Sequence, residues 1–438
     1  MRGQLFIMFK DYNELISVFY PEKDTHSCRN ITFQITDDCC LNCSYCYQIH
    51  KGHKKMTKET AKKAVDLLFQ MYEEDKQDAF INKTTHGIIL DFIGGEPLMN
   101  VPIMDFIVEY FISKCVETDH EWLTRFRISF ATNGILYFEK EVQDFIKKYN
   151  NFLSLTVSID GPKEIHDACR KDCNGEGSFD RASKALQHYK ANYNISPSKN
   201  TKVTIAPENL ENFNTIIDYF SKNGIEVIFA NPIYEAKWTV EHAKIYYKEL
   251  IKLADKMLQN PKIVCSRFDE LFYRPHRISE NSNWCGGDGS MLAFDPDGVA
   301  YPCLRYMESS LGDSQPPLII GNVDDGIYNT EESLKLKKEL NSITRRSQST
   351  DECFHCPIAA GCAWCTAWNY QEQGSFNKRS TNICWMHRAE AIANVYYWNK
   401  KYIQEEREKR FPFYLEQKYA LEIIPEKEYD YLLQLSQN

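Results

Sequence analysis

The sequence lacks long apolar runs and strongly basic segments. No stretch of about 18 apolar residues, the length that a membrane-spanning helix needs, occurs in its 438 residues. No run of five or more basic residues occurs and the formal charge is −9, so no basic surface for nucleic acid or an anionic membrane is indicated. The apolar run at residues 5–9 is too short for a signal peptide. We therefore expect a cytoplasmic protein with no nucleic-acid partner and no membrane partner.

Cysteine, by contrast, is abundant, with 16 residues. In a large intracellular chain, clustered cysteines bind metal or do chemistry more often than they form a disulfide framework. Four of them lie within residues 37–48 and seven lie within residues 285–384. Two metal-binding regions are therefore expected.

The first half of the chain alternates short apolar strands with amphipathic helices. This pattern predicts parallel strands with helical crossovers, an α/β fold that closes as a partial barrel of six β/α units. Reactive residues in such folds follow the carboxyl ends of the strands. The predicted strands are 29–36, 87–93, 126–131, 153–159, 202–206 and 226–230, and the predicted helices are 57–72, 101–115, 139–149, 179–193 and 209–222.

The pattern changes after residue 235, and this change sets the expected domain bounds. A helix at 239–259 connects the barrel to a cysteine-rich region, in which D-P-D-G predicts a β-hairpin within residues 291–303. Helical periodicity returns from residue 384. The expected divisions are an N-terminal segment 1–28, the barrel 29–235, a connecting helical region 236–283, a cysteine-rich domain 284–400 and a C-terminal tail 401–438.

Cys39, Cys43 and Cys46 form a C-x-x-x-C-x-x-C triplet directly after the first predicted strand. Three thiolates in one short loop suit three irons of a cubane [4Fe–4S] cluster and leave the fourth iron open to a chelating small molecule. A zinc knuckle with a distant fourth ligand is the alternative. Cys40 lies beside the first ligand and stays unassigned.

With Tyr45 before its last cysteine, the triplet resembles the C-x-x-x-C-x-aromatic-C motif of the radical S-adenosylmethionine (SAM) superfamily. The resemblance continues through "GGEP" at 94–97, "ATNG" at 131–134, "SIDGP" at 158–162 and "IHDACR" at 165–170. It implies a partial (β/α)6 radical SAM barrel in which the triplet holds the SAM-binding [4Fe–4S] cluster. The residues that the resemblance places around SAM are Tyr45, Gly94, Gly95, Glu96, Pro97, Thr132, Asn133, Ser158, Asp160 and Arg170.

The second cysteine region resembles the SPASM domain, a C-terminal extension that carries two auxiliary [4Fe–4S] clusters. The resemblance implies that one cluster has four ligands, Cys353, Cys356, Cys362 and Cys384. It implies that the other has three, Cys285, Cys303 and Cys365. Two residues separate Cys362 from Cys365 where the usual pattern has three, so whether Cys365 completes the first auxiliary cluster stays open. Two zinc ribbons are the alternative.

SPASM members mostly act on peptides or proteins, so the resemblance implies a radical SAM peptide maturase. A three-cysteine auxiliary cluster leaves a place for a substrate thiolate, which favours thioether (S–C) crosslinks in a ribosomal precursor peptide that contains cysteine. Carbon–carbon crosslinking is the nearest alternative. In the formylglycine-forming sulfatase maturases, an aspartate follows the cysteine that corresponds to Cys303, and an extra cysteine precedes the hairpin. This chain has Leu304 after Cys303 and no cysteine between Cys285 and Cys303, so it fits that branch less well.

The expected partners are the precursor peptide and an electron donor such as flavodoxin or ferredoxin. Only 28 residues precede the first predicted strand, too few for a leader-binding domain of about 80 residues. A separate leader-binding protein or the C-terminal tail is expected to take that role. A non-catalytic iron–sulfur protein is the alternative from a different class. Six cysteines have no assigned role: Cys28, Cys40, Cys115, Cys169, Cys173 and Cys265.

Overall fold

The computed structural model describes residues 28–77, 79–193, 200–270, 285–288, 291–358, 362 and 364–437. Nearly all of the predicted N-terminal segment and the end of the predicted connecting region, residues 271–283, lie outside these ranges. The chain forms two compact units, each built from separate stretches of sequence. The first contains residues 1–157, 171–196 and 286–342, and the second contains residues 158–170, 197–285 and 343–438.

The first unit is organised around one eight-stranded sheet in the order β11-β10-β9-β8-β1-β2-β3-β4. Strands β1 to β4 are parallel, as the alternation of strands and helices predicts. Their side chains are buried to a large extent, which is usual for parallel strands that are covered by helices. The strands are β1 (Cys28–Thr36), β2 (Gly87–Gly94), β3 (Phe126–Thr132), β4 (Leu153–Val157), β8 (Met291–Phe294), β9 (Val299–Tyr301), β10 (Gly321–Asn322) and β11 (Gly326–Ile327).

Four helices of the first unit were predicted from sequence, and they begin and end close to their predicted bounds. Thr57 caps the first of them, since its side chain accepts a hydrogen bond from the backbone N–H of Thr60. One face of that helix is buried, including Ala61, Ala64 and Leu68 of the predicted apolar stripe. The helices are α1 (Lys58–Glu74), α2 (Val101–Glu117), α3 (Lys140–Tyr149), α5 (Phe179–Asn192), α8 (Glu308–Leu311) and α9 (Glu331–Asn341).

The predicted β-hairpin joins the same sheet. β8 and β9 are antiparallel, and Gly298 in the turn has φ +85°, a left-handed conformation that glycine adopts without strain. β8 also pairs in parallel with β1, with Asn30 opposite Met291 and Phe33 opposite Phe294. The cysteine-rich part of the chain thus supplies strands to the sheet that carries the first cysteine loop.

The second unit has a three-stranded parallel sheet, β5-β6-β7, and most of the C-terminal helices. The strands are β5 (Asn200–Ile205), β6 (Val227–Pro232) and β7 (Val264–Cys265). The helices are α4 (Lys163–Cys169), α6 (Phe213–Lys222), α7 (Val240–Gln259), α10 (Arg345–Gln348), α11 (Asp351–Phe354), α12 (Thr366–Gln373), α13 (Cys384–Gln404), α14 (Gln417–Ala420) and α15 (Glu426–Gln437).

Two details differ from the expected barrel. The six predicted barrel strands are divided between the two sheets, four in the first and two in the second. β4 ends at Val157 instead of residue 159, because the chain turns at Gly161, whose φ is +130°, and then enters α4 after Pro162. Among the described helices, none is long and apolar enough to cross a membrane.

Candidate functional site

The first cysteine loop follows β1 at the carboxyl edge of the parallel strands. Cys39, Cys43 and Cys46 are all half-buried. The backbone N–H of Cys46 donates to the carbonyl of Cys43 at 3.2 Å, and the N–H of Leu41 donates to the Cys39 sulfur at 3.4 Å. Lys171, which lies outside the loop, anchors it, because its carbonyl accepts a hydrogen bond from the Asn42 N–H at 2.7 Å. The three predicted ligands therefore share one short, partly accessible loop.

Cys40, which the sequence left unassigned, is a neighbour of the first ligand. A hydrogen bond from the Cys40 thiol lowers the pKa of Cys39 to about 6, and the same interaction raises the pKa of Cys40. The Asn133 amide Nδ2 lies 3.2 Å from the Cys40 sulfur and 3.9 Å from the Cys39 sulfur. A cysteine that ligates metal must be a thiolate, so this environment suits Cys39 as a ligand.

Glu96 of the G-G-E-P motif is a buried carboxylate between the ends of β2 and β3. Its Oε1 accepts hydrogen bonds from Thr132 Oγ1 at 2.6 Å and from the Leu98 N–H at 3.1 Å, and its Oε2 accepts from the Asn133 N–H at 2.8 Å. These donors are neutral, and burial raises the pKa of Glu96 to about 7. A buried carboxylate in this state fits a cationic group such as the amine of SAM.

The two glycines before Glu96 allow the backbone to pass close to the first cysteine loop. A Cβ on Gly95 would collide with the Asp38 carbonyl oxygen and lie 2.7 Å from the Cys39 Cβ. A Cβ on Gly94 would lie 2.7 Å from the carbonyl oxygen of Thr36. Backbone hydrogen bonds from Gly95 to Thr36 and from Glu96 to Asp38 hold the same contact. The glycines thus bring Glu96 next to the loop.

The remaining predicted SAM contacts lie at two places. Tyr45 is half-buried within the cysteine loop, and Pro97 begins a short 3₁₀ helix, Pro97–Asn100. In the second unit, half-buried Ser158 follows β4, and Arg170 Nε donates to Asp160 Oδ2 at 2.9 Å. The side chains of Asp160 and Arg170 are only 1% and 13% exposed, so this ion pair is largely removed from water. The roles of all these residues toward SAM stay predictions.

The second cysteine region contains a cavity of about 280 Å³ in the second unit. Its walls include all four cysteines that the sequence assigns to one auxiliary cluster, Cys353, Cys356, Cys362 and Cys384. Three basic side chains, Arg379, His387 and Arg388, also line it, together with the carboxylates of Glu352 and Glu416. A space of this size exceeds what one metal ion needs, so the donor set and the volume fit a polynuclear iron–sulfur cluster better than a tetrahedral zinc site.

Charges around this cavity stabilise the thiolate form of Cys362 but not that of Cys384. Burial alone would raise the pKa of Cys362, but Arg379 and His387 overcome that effect and lower the pKa to about 6. Burial, together with the negative charges of Cys362 and Cys353, raises the pKa of Cys384 to about 12. Added positive charge, from a cluster, would be needed to ionise all four thiols together.

The other three predicted auxiliary ligands are divided between the two units. In the second unit, the Cys285 sulfur lies 3.5 Å from Thr366 Oγ1, and the Cys365 sulfur accepts the N–H of Trp368 at 3.4 Å at the start of α12. Cys303 follows β9 in the first unit and is buried. That these three cysteines share one cluster stays a prediction.

Sequence reasoning missed the contribution of Arg379 and His387 to the four-cysteine cavity. Both residues are close to Cys384 in sequence, and a basic residue near a cysteine ligand was the available signal. Spacing alone does not say which of the nearby cations turns toward the sulfurs. Of the unassigned cysteines, Cys115, Cys169 and Cys265 are buried, Cys28 is half-buried and Cys173 is exposed.

Comparison with known proteins places this arrangement in a class. Residues 33–220 match the family model of the Radical SAM superfamily. That stretch contains the cysteine triplet, the G-G-E-P motif and the Asp160–Arg170 pair. This part of the chain therefore matches the radical SAM superfamily.

Its relatives among known proteins are distant in sequence. The radical SAM cyclopropyl synthase TigE of Paramaledivibacter caminithermalis is 22% identical over 407 residues, which are 87% of this chain and 77% of the relative. The cysteine-type anaerobic sulfatase-maturating enzyme of Clostridium perfringens is 25% identical over 350 residues, which are 75% of this chain and 86% of the relative.

A solved structure shares the fold. Native anSMEcpe with bound AdoMet aligns with a TM-score of 0.61 and 17% identity, over 86% of this chain and 98% of that chain. This likeness confirms the predicted fold class, an α/β fold with a partial radical SAM barrel and a C-terminal domain that resembles a SPASM structure.

Proposed function

We propose that this radical SAM enzyme is a peptide maturase that forms thioether crosslinks between a cysteine sulfur and a carbon atom of a ribosomally made peptide. The observation that carries the proposal is the four-cysteine cavity, because its lining fits an auxiliary iron–sulfur cluster in a chain whose residues 33–220 match the Radical SAM superfamily. A maturing function is also in the names of the relatives, which include sulfatase-maturating enzymes. A polypeptide substrate is therefore favoured over a small metabolite.

Each part of the chain has a role in this proposal. Cys39, Cys43 and Cys46 would hold the cluster that binds SAM. With SAM bound and the cluster reduced, this site would supply a 5′-deoxyadenosyl radical able to remove hydrogen from an unactivated carbon. Buried Glu96 holds the SAM amine, and Thr132 orients the Glu96 carboxylate.

The second unit and the cysteine-rich stretch supply the rest. Asp160 fixes the guanidinium of Arg170, which binds the SAM carboxylate, and Ser158 contacts the ribose. The four cysteines of the cavity hold one auxiliary cluster. Cys285, Cys303 and Cys365 would hold the other, and three protein ligands would leave room for a substrate cysteine.

Atom balance gives the function a measurable signature. Joining a C–H carbon to an S–H sulfur removes two hydrogens: one leaves as a hydrogen atom to the deoxyadenosyl radical and one leaves the thiol as a proton. One electron then remains and passes to an acceptor. Each crosslink should therefore lower the peptide mass by two hydrogens, consume one SAM and block one cysteine to alkylation.

The test is anaerobic co-expression with short cysteine-containing open reading frames encoded beside this gene, followed by intact-peptide mass spectrometry. The expected result is the loss of two hydrogens per site with the cysteine resistant to alkylation. The Cys43→Ala variant is the control and should leave the peptide unchanged. Loss of two hydrogens with the cysteines still free to alkylate would replace this proposal with carbon–carbon crosslinking.

A second candidate is formylglycine formation, which the similarity to the Clostridium perfringens enzyme favours. Formylglycine carries an aldehyde where the cysteine thiol stood, so the product loses sulfur and reacts with hydrazides. A crosslinked peptide keeps its sulfur and does not react. If SAM and a reductant release no deoxyadenosine from the wild-type protein, both candidates fail and a non-catalytic iron–sulfur protein is favoured.

A further inference from the structure

Arg379 contacts two of the four thiols that line the cavity in the second unit. Its Nη2 lies 2.9 Å from the Cys362 sulfur and also donates to the Cys362 carbonyl at 2.9 Å. Its Nη1 lies 3.5 Å from the Cys353 sulfur. The planar guanidinium therefore points both of its terminal nitrogens at sulfurs, a geometry that a lysine ammonium cannot reproduce.

The position of Arg379 is fixed and largely dry. The residue is only 8% exposed, and its guanidinium carbon lies 4.5 Å from the centre of the Trp364 ring. Its backbone N–H donates to the Gln348 carbonyl at 2.9 Å. Trp364 lies in the two-residue gap between Cys362 and Cys365, so a residue of this gap supplies the ring that covers the guanidinium. A cation held this way acts on nearby charge more strongly than one in water.

Such a contact affects the two oxidation states of a cluster unequally. Adding one electron makes the cluster and its thiolates more negative by one charge, and N–H···S hydrogen bonds and a fixed cation stabilise that state more than the oxidised one. The potential of the one-electron couple rises as a result.

We propose that Arg379 is a positioning residue that raises the reduction potential of the four-cysteine auxiliary cluster, so that this site accepts the electron left over when the substrate S–C bond closes. The source of that electron, closure of the S–C bond, rests on the proposed function. The contacts of Arg379 with the two sulfurs do not depend on it.

Arg388 provides a matched control, because it lines the same cavity and its guanidinium contacts Tyr419 and Glu422. Its guanidinium carbon lies 3.8 Å from the centre of the Tyr419 ring, and its Nη1 lies 3.4 Å from Glu422 Oε2. Replacing Arg388 thus removes a cation from the cavity wall while keeping the two hydrogen bonds from Arg379.

The test is a redox titration with dithionite, followed by electron paramagnetic resonance. It uses a variant with Cys39, Cys43 and Cys46 replaced by alanine, so that the signals come from the auxiliary sites. The signal of the four-cysteine cluster is identified by its loss on Cys384→Ser. At a fixed potential, Arg379→Met should lower the ratio of reduced to oxidised cluster at least tenfold, a shift of about 59 mV for a one-electron couple. The ratio in Arg379→Lys should lie between the ratios in Arg379→Met and in the protein with Arg379 intact. Arg388→Gln should change the ratio less than Arg379→Lys does.

A second measurement, on protein with Arg379 intact, tests the inference even if the Arg379→Met variant does not assemble the four-cysteine cluster. Labelling arginine with nitrogen-15 should give a hyperfine coupling to the reduced four-cysteine cluster in pulsed electron paramagnetic resonance, and Arg379→Lys should abolish it. An absent coupling, an unchanged midpoint in Arg379→Lys, an equal shift in Arg388→Gln, or a spectrum that Cys384→Ser leaves unaltered would each overturn the inference. If these results hold but no crosslink forms in co-expression, only the proposed function fails.

Discussion

Thr132 Oγ1 donates a 2.6 Å hydrogen bond to Glu96 Oε1 and thereby joins the carboxyl ends of β2 and β3 through side chains. Both residues are buried, with exposed fractions of 2% each. The pair lies beside the first cysteine loop, because Glu96 also donates its backbone N–H to the Asp38 carbonyl at 2.8 Å. A change at Thr132 is therefore expected to reach the bound cosubstrate through Glu96.

Replacing Thr132 with valine keeps the shape of the side chain. It removes the hydrogen bond to Glu96 and also the one that Thr132 Oγ1 accepts from the Gly134 N–H at 3.0 Å. A hydrogen bond to a charged group contributes about 1.5–3 kcal/mol, so a looser Glu96 should raise the KM for SAM about tenfold or more, with a smaller change in kcat. Deoxyadenosine release measured against SAM concentration checks this. Thr156→Val on β4 is the control, since it makes the same chemical change outside the Glu96 hydrogen bonds. An equal KM effect in both variants would contradict the role of Thr132.

Gly95→Ala should displace the first cysteine loop. The added methyl group has no room between the Asp38 carbonyl and the Cys39 side chain, so the loop must move and the SAM-binding cluster should be lost. Iron content per protein should fall by one cluster, and deoxyadenosine release should fall below detection. The control is Gly224→Ala, where φ is +67° but the new Cβ meets nothing within 4 Å. That variant should cost only about 1 kcal/mol in stability and keep its iron.

His166 should make the protein less stable at mildly acidic pH. Burial lowers the pKa of His166 from 6.5 to about 4. The negative charges of Asp160 and Asp167 oppose this shift, whereas the positive charges of Arg170 and Lys163 add to it. Because the unfolded chain binds the proton more readily, stability is full above about pH 6.5 and falls as the pH drops toward 4. The expected loss is about 1 kcal/mol between about pH 7.5 and about pH 5.5.

Thermal melts of the wild type and of His166→Asn across this pH range check the effect. Asparagine retains an acceptor for the Asp160 N–H, which lies 3.3 Å from His166 Nδ1. It does not titrate, so the pH slope of its Tm should be shallower even though its absolute Tm is lower. Parallel slopes in the two proteins would show that other groups cause the acid sensitivity.

The Asp160–Arg170 pair should behave as a buried salt bridge. Arg170→Met leaves the Asp160 carboxylate in a site that is 1% exposed without its cation, at an expected cost of about 3–5 kcal/mol. The double variant Asp160→Asn, Arg170→Met should recover much of that stability. It should still bind SAM poorly if Arg170 holds the SAM carboxylate. Denaturant unfolding and SAM binding separate the two effects, and full SAM affinity in the double variant would leave Arg170 with a structural role only.

Local sequence patterns predicted most elements of the fold. The apolar stripe and the Thr57 cap identified α1, and the alternation of strands and helices identified the parallel strands. These features depend on residues a few positions apart, which is the range over which helical and strand periodicity operates. The pairing of β8 with β1 was not predicted, because no short-range signal determines which distant strand completes a sheet edge.

The candidate site was predictable to the same extent. Residues in motifs with fixed spacing, such as Glu96 and the cysteine triplet, were found from sequence. Arg379 and Cys40 were not, because their importance depends on which sulfur each side chain faces in three dimensions. From sequence, the two-residue gap between Cys362 and Cys365 was only a departure from the usual SPASM spacing. In the structure, Trp364 of that gap covers the Arg379 guanidinium.

The parallel pairing of Asn30–Phe33 with Met291–Phe294 has a consequence for biosynthesis. During translation one edge of β1 has no partner until β8 leaves the ribosome, an interval on the order of tens of seconds at roughly 5–20 residues per second. An unpaired apolar strand is a template for aggregation. The supply of chaperone should therefore limit the yield of this protein. Added chaperone should raise the yield more than slower synthesis at low temperature does.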